Sequence, residues 1–446
     1  MTVQRATNPP ATGRRRARRR RGAGAAVTAV LTATVAVGAA SLAGAAPASS
    51  HRQAAESFTL NIGTVLPLSG SLSAYGPSLQ HAADLAILQV NAALEKDKIA
   101  VKLDLVGNLD DATEPATGVE AAQKLATVDG ANVIIGSMSS AVTERIALTV
   151  AVPDHVLLVS PTSSDPAIKH LADDHLLWTV YPTDDLQGRA LATAVASAVG
   201  AHATVNVLAQ DDAYGEGVLD EFTGAWKAQG GKVGVAEAFD PTAPSFNSVA
   251  EKYVSGSPAA YVLVAYPSYF QRLAPALVDT GVWSPAKTFA TEDLDETSIL
   301  NTVSKKASEG LRGTAGSPPV GPSAAAFEAY FKANADKNPF TGFEGTAFDA
   351  VVLSALAAVK AHSSNPLVIR NAMVSVSGPA GVAYSWRQLP QAFAAAAAGK
   401  AIAYHGAWGE IDWAPNGTPN AATYVLWKYE NGTISNLRTF QYGPKS

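Results

Sequence analysis

The stretch TLNIGTVLPLSGSLSAYGPSLQHAADLAILQVNAAL, residues 59–94, sets two periodicities one after the other. TLNIGTVL (59–66) is a short run rich in β-branched residues, which predicts a strand. From 77 to 94 the apolar residues Ala82, Leu85, Ala86, Leu88 and Ala93 fall at helical spacing. A strand followed by an amphipathic helix is half of a β-α-β unit, and the rest of the chain repeats the pattern.

Working outward, strands are predicted at 101–106, 132–135 and 155–159, with helices at 114–125 and 140–152. This alternation implies a parallel sheet with helices on both faces. A second set begins after Tyr181, with helices at 188–199 and 216–229 and strands at 204–208, 232–239, 261–265 and 288–290. The Gly- and Pro-rich stretch 310–322 predicts a break. Helices return at 324–334 and 345–362, and the tail reads as strands at 407–413 and 423–429 around an Asn416-Gly417 turn. The fold class is α/β: two doubly wound, Rossmann-like lobes. A ligand cleft belongs between them, at the carboxyl ends of the strands.

Composition narrows the function. Hydrophobic residues make up 47% of the 446 and charged residues 16%, enough for a large core. The net charge of −5 hides an asymmetry, because residues 1–45 hold eight of the 33 basic residues, all Arg, and no acid. The remainder carries 25 basic against 38 acidic residues, a net of −13. So acidic a body repels phosphate, and no nucleic-acid partner is expected. The Arg cluster, the uncharged run after it and the small-residue exit at Ala43-Gly44-Ala45 read as an export signal over 1–45, followed by a linker over 46–57. The run is also long enough to span a bilayer, so cleavage and anchoring both stay open. With no cysteine there are no disulfides and no thiolate metal sites. Lipidation is excluded too, since Leu42-Ala43-Gly44-Ala45 has Ala where a lipobox has Cys.

Signatures of catalysis are missing. There is no P-loop, no HExxH and no GxSxG, and the eight His are scattered. The single SxxK match, Ser284 to Lys287, lacks its companion elements. The acid pairs Asp110-Asp111, Asp173-Asp174 and Asp211-Asp212 read as solvated turn residues. No enzyme, cofactor or metal is expected.

Five blocks then carry a family resemblance: VLPLSGSLSAYGPSLQHAADLAILQVNAA (65–93), IIGSMSSAVTE (134–144), LLVSPTSSDP (157–166), DDAYGEG (211–217) and YHGAWGEIDWAPNG (404–417). In this order they resemble the branched-chain amino-acid-binding family of type I periplasmic binding proteins. The resemblance implies two lobes, 58–182 with 314–418 and 183–313 with 419–446, joined by a three-crossover hinge. It implies capture of a small amino acid by hinge closure and delivery by a monomer to the permease of an ABC importer.

Ser139-Ser140 lies between a strand and a helix, at an N-cap, where backbone N–H groups favour an anion. In the family a Ser of this loop and a hydroxyl residue of the next hold the ligand's α-carboxylate. Here these are Ser140 and Ser164, with backbone groups near Met138 and Thr162. An acid after a second-lobe strand would hold the α-ammonium: Glu292, with Asp293 as its rival one residue on. Tyr75, Tyr214 and Tyr266 match aromatic positions lining the family's cleft. Two alternatives remain: the same fold binding an amide, a urea-like compound or an aromatic acid, or a secreted sensor.

Overall fold

The computed structural model describes residues 57–317 and 322–443. The expected export signal over 1–45 and the linker up to residue 56 lie outside the described residues. Strands β1 (Phe58–Leu66), β2 (Val101–Asp110), β3 (Val133–Gly136), β4 (Leu157–Ser160) and β5 (Leu177–Thr179) form a sheet in the order β2-β1-β3-β4-β5, every pairing parallel. All residues of β3 and β4 are buried, because helices cover both faces. The period of two divides them: Val133 and Ile135 join the core under helices Gly76–Lys96 and Glu344–Ala361, while Ile134 joins that under Pro115–Thr127 and Ser140–Ile146.

The second sheet takes β6 (Thr204–Gln210), β7 (Lys232–Phe239), β8 (Ala260–Val264), β9 (Thr288–Ala290) and β10 (Arg312–Gly316) in parallel. A two-stranded parallel ribbon, β11 (Val382–Ser385) and β12 (Ile402–His405), stands apart. The chain returns to the second sheet with β13 (Ala422–Glu430) and β14 (Thr433–Tyr442), both antiparallel additions, completing the order β14-β13-β10-β9-β8-β6-β7.

Two expectations are corrected. The predicted break over 310–322 contains β10, a strand in the interior of the second sheet. Its glycines are packing residues: a Cβ on Gly313 would stand 2.0 Å from the Ala290 carbonyl oxygen. The predicted strand over 407–413 is replaced by β12 a few residues earlier, followed by bends. There the amides of Ala407 and Trp408 are held by the Asp349 carboxylate at 2.8 Å each, so they are not available to a ladder.

The chain crosses between the sheets three times: after β5, after β10 and between β12 and β13. The crossings are tied to one another. Thr179 donates its amide to Gly417 (2.8 Å) and accepts from the Trp413 indole (2.6 Å), while Gly316 donates to the Tyr181 hydroxyl (2.6 Å). Among the described residues no helix is long and apolar enough to cross a membrane.

Candidate functional site

In the first sheet the chain leaves β1 for β2 on one side and returns to β3 on the other. In the second it leaves β6 for β7 and returns to β8. Each reversal opens a crevice at the carboxyl ends of the strands. The two crevices face each other across one cavity.

The first-sheet half is a hydroxyl network. β3 ends on Gly136, with φ of +142°, where a Cβ would lie 1.9 Å from the Val65 carbonyl oxygen; only glycine lets the loop start so close to β1. Ser137 then donates to Asp111 at 2.6 Å, and Asp111 also accepts the Thr113 amide at 2.7 Å. Asp111 is fully buried, with its carboxyl pushed up to about 6 by desolvation, and is not the solvated turn acid expected from sequence. Ser160 donates to the Ser137 carbonyl (2.7 Å), Ser163 to the Thr143 hydroxyl (2.7 Å) and Thr162 to the Met138 carbonyl (3.1 Å). Ser139 stands at the cap position but makes no side-chain cap bond. Ser140, one residue on, accepts the amides of Ser164 (3.2 Å) and Asp165 (3.3 Å) through its hydroxyl oxygen. Ser164 donates its hydroxyl to Asp184 at 3.0 Å.

The second-sheet half is aromatic and acidic. Asp212 caps helix Ala213–Ala228 by accepting the Gly215 amide at 2.8 Å, which fixes Tyr214 in the first turn. It too was expected to be solvated, and burial instead pushes its carboxyl up to about 6. Gln210 accepts the Tyr266 amide at 2.6 Å, and the Tyr214 and Tyr266 rings stack 5.6 Å apart. The short turn after β9 carries Glu292 and Asp293. Glu292 receives the Tyr214 hydroxyl at 3.2 Å on one oxygen and the Gln187 amide on the other.

The space between the two crevices amounts to about 280 Å³ with its opening to solvent included, and seven of the eight residues expected from sequence line it: Met138, Ser140, Thr162 and Ser164 from one side, Tyr214, Tyr266 and Glu292 from the other. Tyr75 does not line it. Its hydroxyl donates to the Asp293 carbonyl at 2.8 Å, and its ring meets Phe343 edge-on at 5.4 Å. Glu292 and Asp293, set against each other as rivals, both face the cavity. Sequence reasoning missed Leu72 and Phe343 in the lining, and Asp184 and Gln187 behind it.

Among the described residues no Lys, Arg or His lines this space. Burial pushes the Glu292 carboxyl up to about 7, against the opposing pull of Gln187 and Tyr214. Asp293 and Asp184 are raised well above the usual carboxylate range, first by burial and then by the charge of Glu292. Such a site favours a positively charged group beside Glu292.

Comparison with known proteins adds four findings. The sequence model of a family described as "Periplasmic binding protein" matches residues 59–426. Leu/Ile/Val-binding protein homolog 1 of Brucella abortus is 26% identical over 394 residues, 85% of this chain and 93% of that protein. Leu/Ile/Val-binding protein BraC3 of Rhizobium johnstonii is 28% identical over 198 residues, so the chain spans 52% of that relative's length. Among solved structures, a leucine-binding protein LivK from Thermotoga maritima superposes with a TM-score of 0.69 at 21% identity, over 86% of this chain and 99% of that one.

Proposed function

Because this chain belongs to the periplasmic binding protein family, we propose that it captures a small amino acid outside the cytoplasm and passes it to the permease of an ABC importer. One observation carries this reading: a single cavity sets hydroxyl groups of one sheet against a buried, partner-seeking carboxylate of the other.

Hydrogen-bond directions support a division of labour between the two serines. The Ser140 oxygen already accepts two amides, so its own hydrogen remains to be donated, and a ligand carboxylate suits it. The Ser164 hydrogen goes to Asp184, which leaves oxygen lone pairs on the cavity side. Ser164 therefore suits the α-ammonium together with Glu292, whereas the family resemblance implied the carboxylate for both serines. Met138 and Thr162 supply backbone and apolar contacts beside them, and Tyr214 and Tyr266 pack the ligand's side chain.

The moving units are proposed to be 58–182 with 314–418 and 183–313 with 419–446, acting as a monomer. Since β10 pairs with β9, the second crossing is better placed after Gly316. Beside the first crossing the halves are joined by Ser164 to Asp184 and Lys169 to Asp185; away from the crossings they also touch through Tyr75 to the Asp293 carbonyl and Ser268 to the Ser71 carbonyl at 3.3 Å. Opening must break the latter two bonds, and a ligand holds the halves together only by binding this arrangement more tightly than the open one. The alternative, an aromatic acid, would bring a carboxylate for Ser140 but no ammonium for Glu292; it is in keeping with the R. palustris solute-binding protein in complex with 4-hydroxybenzoate, which superposes with a TM-score of 0.69 at 16% identity.

Ser140→Ala is expected to weaken amino-acid binding by about 1.5–3 kcal/mol, the worth of a hydrogen bond to a charged group. Titration calorimetry on ligands found in a thermal-shift screen measures it. A ligand at one hundred times its Kd adds about 2.7 kcal/mol of stability, enough to detect. Parental affinity in Ser140→Ala for every amino acid bound would overturn the reading.

A further inference from the structure

We infer that the captured solute carries a second positively charged nitrogen, received by Asp293. The ligand class is then an amino acid with an amine-bearing side chain, of the chemistry of ornithine or lysine. This rests on the amino-acid reading of the cavity and narrows it.

The first observation is a buried acid set among other acids. Asp293 lines the cavity and is 4% exposed. Among the described residues the Tyr214 hydroxyl reaches it, and that hydroxyl is shared with Glu292. An α-ammonium has three hydrogens, and Glu292 and the Ser164 oxygen account for its charge and its direction. They do not call on Asp293, which keeps only the share of the Tyr214 hydroxyl that Glu292 leaves it. An unmatched oxygen lies just behind: Asp184 is fully buried, with one oxygen on Ser164 and the other without a partner. The charged groups acting on these two acids are themselves acids, Glu292 on both, Asp165 and Asp293 on Asp184, and Asp212 on Asp293.

A neutral amino acid brings one ammonium and one carboxylate, so it adds no net charge to a space walled by two carboxyl groups with a third behind. A buried anion without a partner is costly and must take up a proton or a cation. The remaining wall is suited to a cation on a stem. Leu72, Met138 and Phe343 offer apolar surface for methylene groups, and the faces of Tyr214 and Tyr266 attract positive charge. Glu292 and Phe343 also border a second space of about 1120 Å³, whose wall includes Asp295.

The test compares L-lysine with L-norleucine, which has the same stem without the terminal amine, by titration calorimetry on the full chain, with L-leucine as a further arm. Lysine is expected to bind at least tenfold tighter than norleucine. Asp293→Asn, with a melting curve to confirm folding, is expected to reduce that ratio at least tenfold. Norleucine or leucine binding as well as lysine would overturn the inference and leave the amino-acid reading standing. An unchanged ratio in Asp293→Asn would overturn it in the same way. If none of the three binds, the amino-acid reading falls and this inference with it. The lysine-to-norleucine ratio of the parent decides the matter even if the variant does not fold.

Discussion

Glu292→Gln is expected to weaken amino-acid binding by about 3–5 kcal/mol, from a hundredfold to a few thousandfold in Kd. The ammonium of the ligand leaves water on entering the cavity where Glu292 and the Ser164 oxygen receive it, and glutamine offers it a dipole in place of a charge. The rest of the site survives, because the Gln187 amide and the Tyr214 hydroxyl can still address a side-chain amide. The unliganded protein should melt no lower than the parent, since the substitution removes a buried acid crowded by Asp184 and Asp293. Binding loss without stability loss marks a ligand contact. A Kd within threefold of the parent would remove Glu292 from the site.

The same carboxyl makes capture depend on pH. With burial holding it up to about 7, the unliganded acid carries a proton through much of the mildly acidic range, and that proton must leave before an ammonium can pair. Affinity should therefore rise about tenfold from pH 6 to pH 8 and then level off. Stability of the unliganded protein runs the other way. A folded-state value above the unfolded one stabilises below pH 4.5, and that contribution is lost as pH rises through 7. Asp184 and Asp293, displaced in the same direction, add to the trend. Glu292→Gln should flatten the affinity profile.

Much of the architecture was legible because buried parallel strands write their own signal. The run at 288–290 matches the fully buried β9 to the residue, and the run at 232–239 matches β7 equally well through the period-two alternation of an edge strand. β10 was hidden because RGTAG owes its place to what it lacks, side chains that would strike β9 and Trp427. β14 was hidden because, as an exposed edge strand, TISNLRTFQY carries little apolar alternation. In the site, residues inside strand-to-helix loops could be found by position. Asp184 and Gln187 could not: they sit in the opening turn of a helix after the first crossing, and only the tertiary arrangement aims them at Ser164 and Glu292. Asp111 and Asp212 were misread for a related reason. A loop acid is solvated or buried according to what packs over it, and its local sequence is the same in either case.

Asp349→Ala is expected to destabilise the protein by about 3–5 kcal/mol, the largest effect on stability foreseen for a single polar side chain here. Asp349 is fully buried and accepts the Tyr404 hydroxyl and the Ala407 and Trp408 amides, each at 2.8 Å. It thus fastens helix Glu344–Ala361 to the start of the third crossing. Alanine would strand three buried donors, at about 1–3 kcal/mol each before relaxation. The effect should also reach the cavity. Trp408 packs on Tyr181 at 5.5 Å, Tyr181 on Phe343 at 5.8 Å, and Phe343 lines the ligand space. Scanning calorimetry with and without ligand separates the two consequences: a lowered melting temperature in both states, and a smaller ligand-induced rise than in the parent. Asp349→Asn is the instructive companion, since it keeps the volume but presents an N–H₂ group where donors already converge, so it should recover only part of the loss. If Asp349→Ala melted with the parent, those three donors would have to find other acceptors at no cost, and the crossing would not depend on this carboxylate for its path.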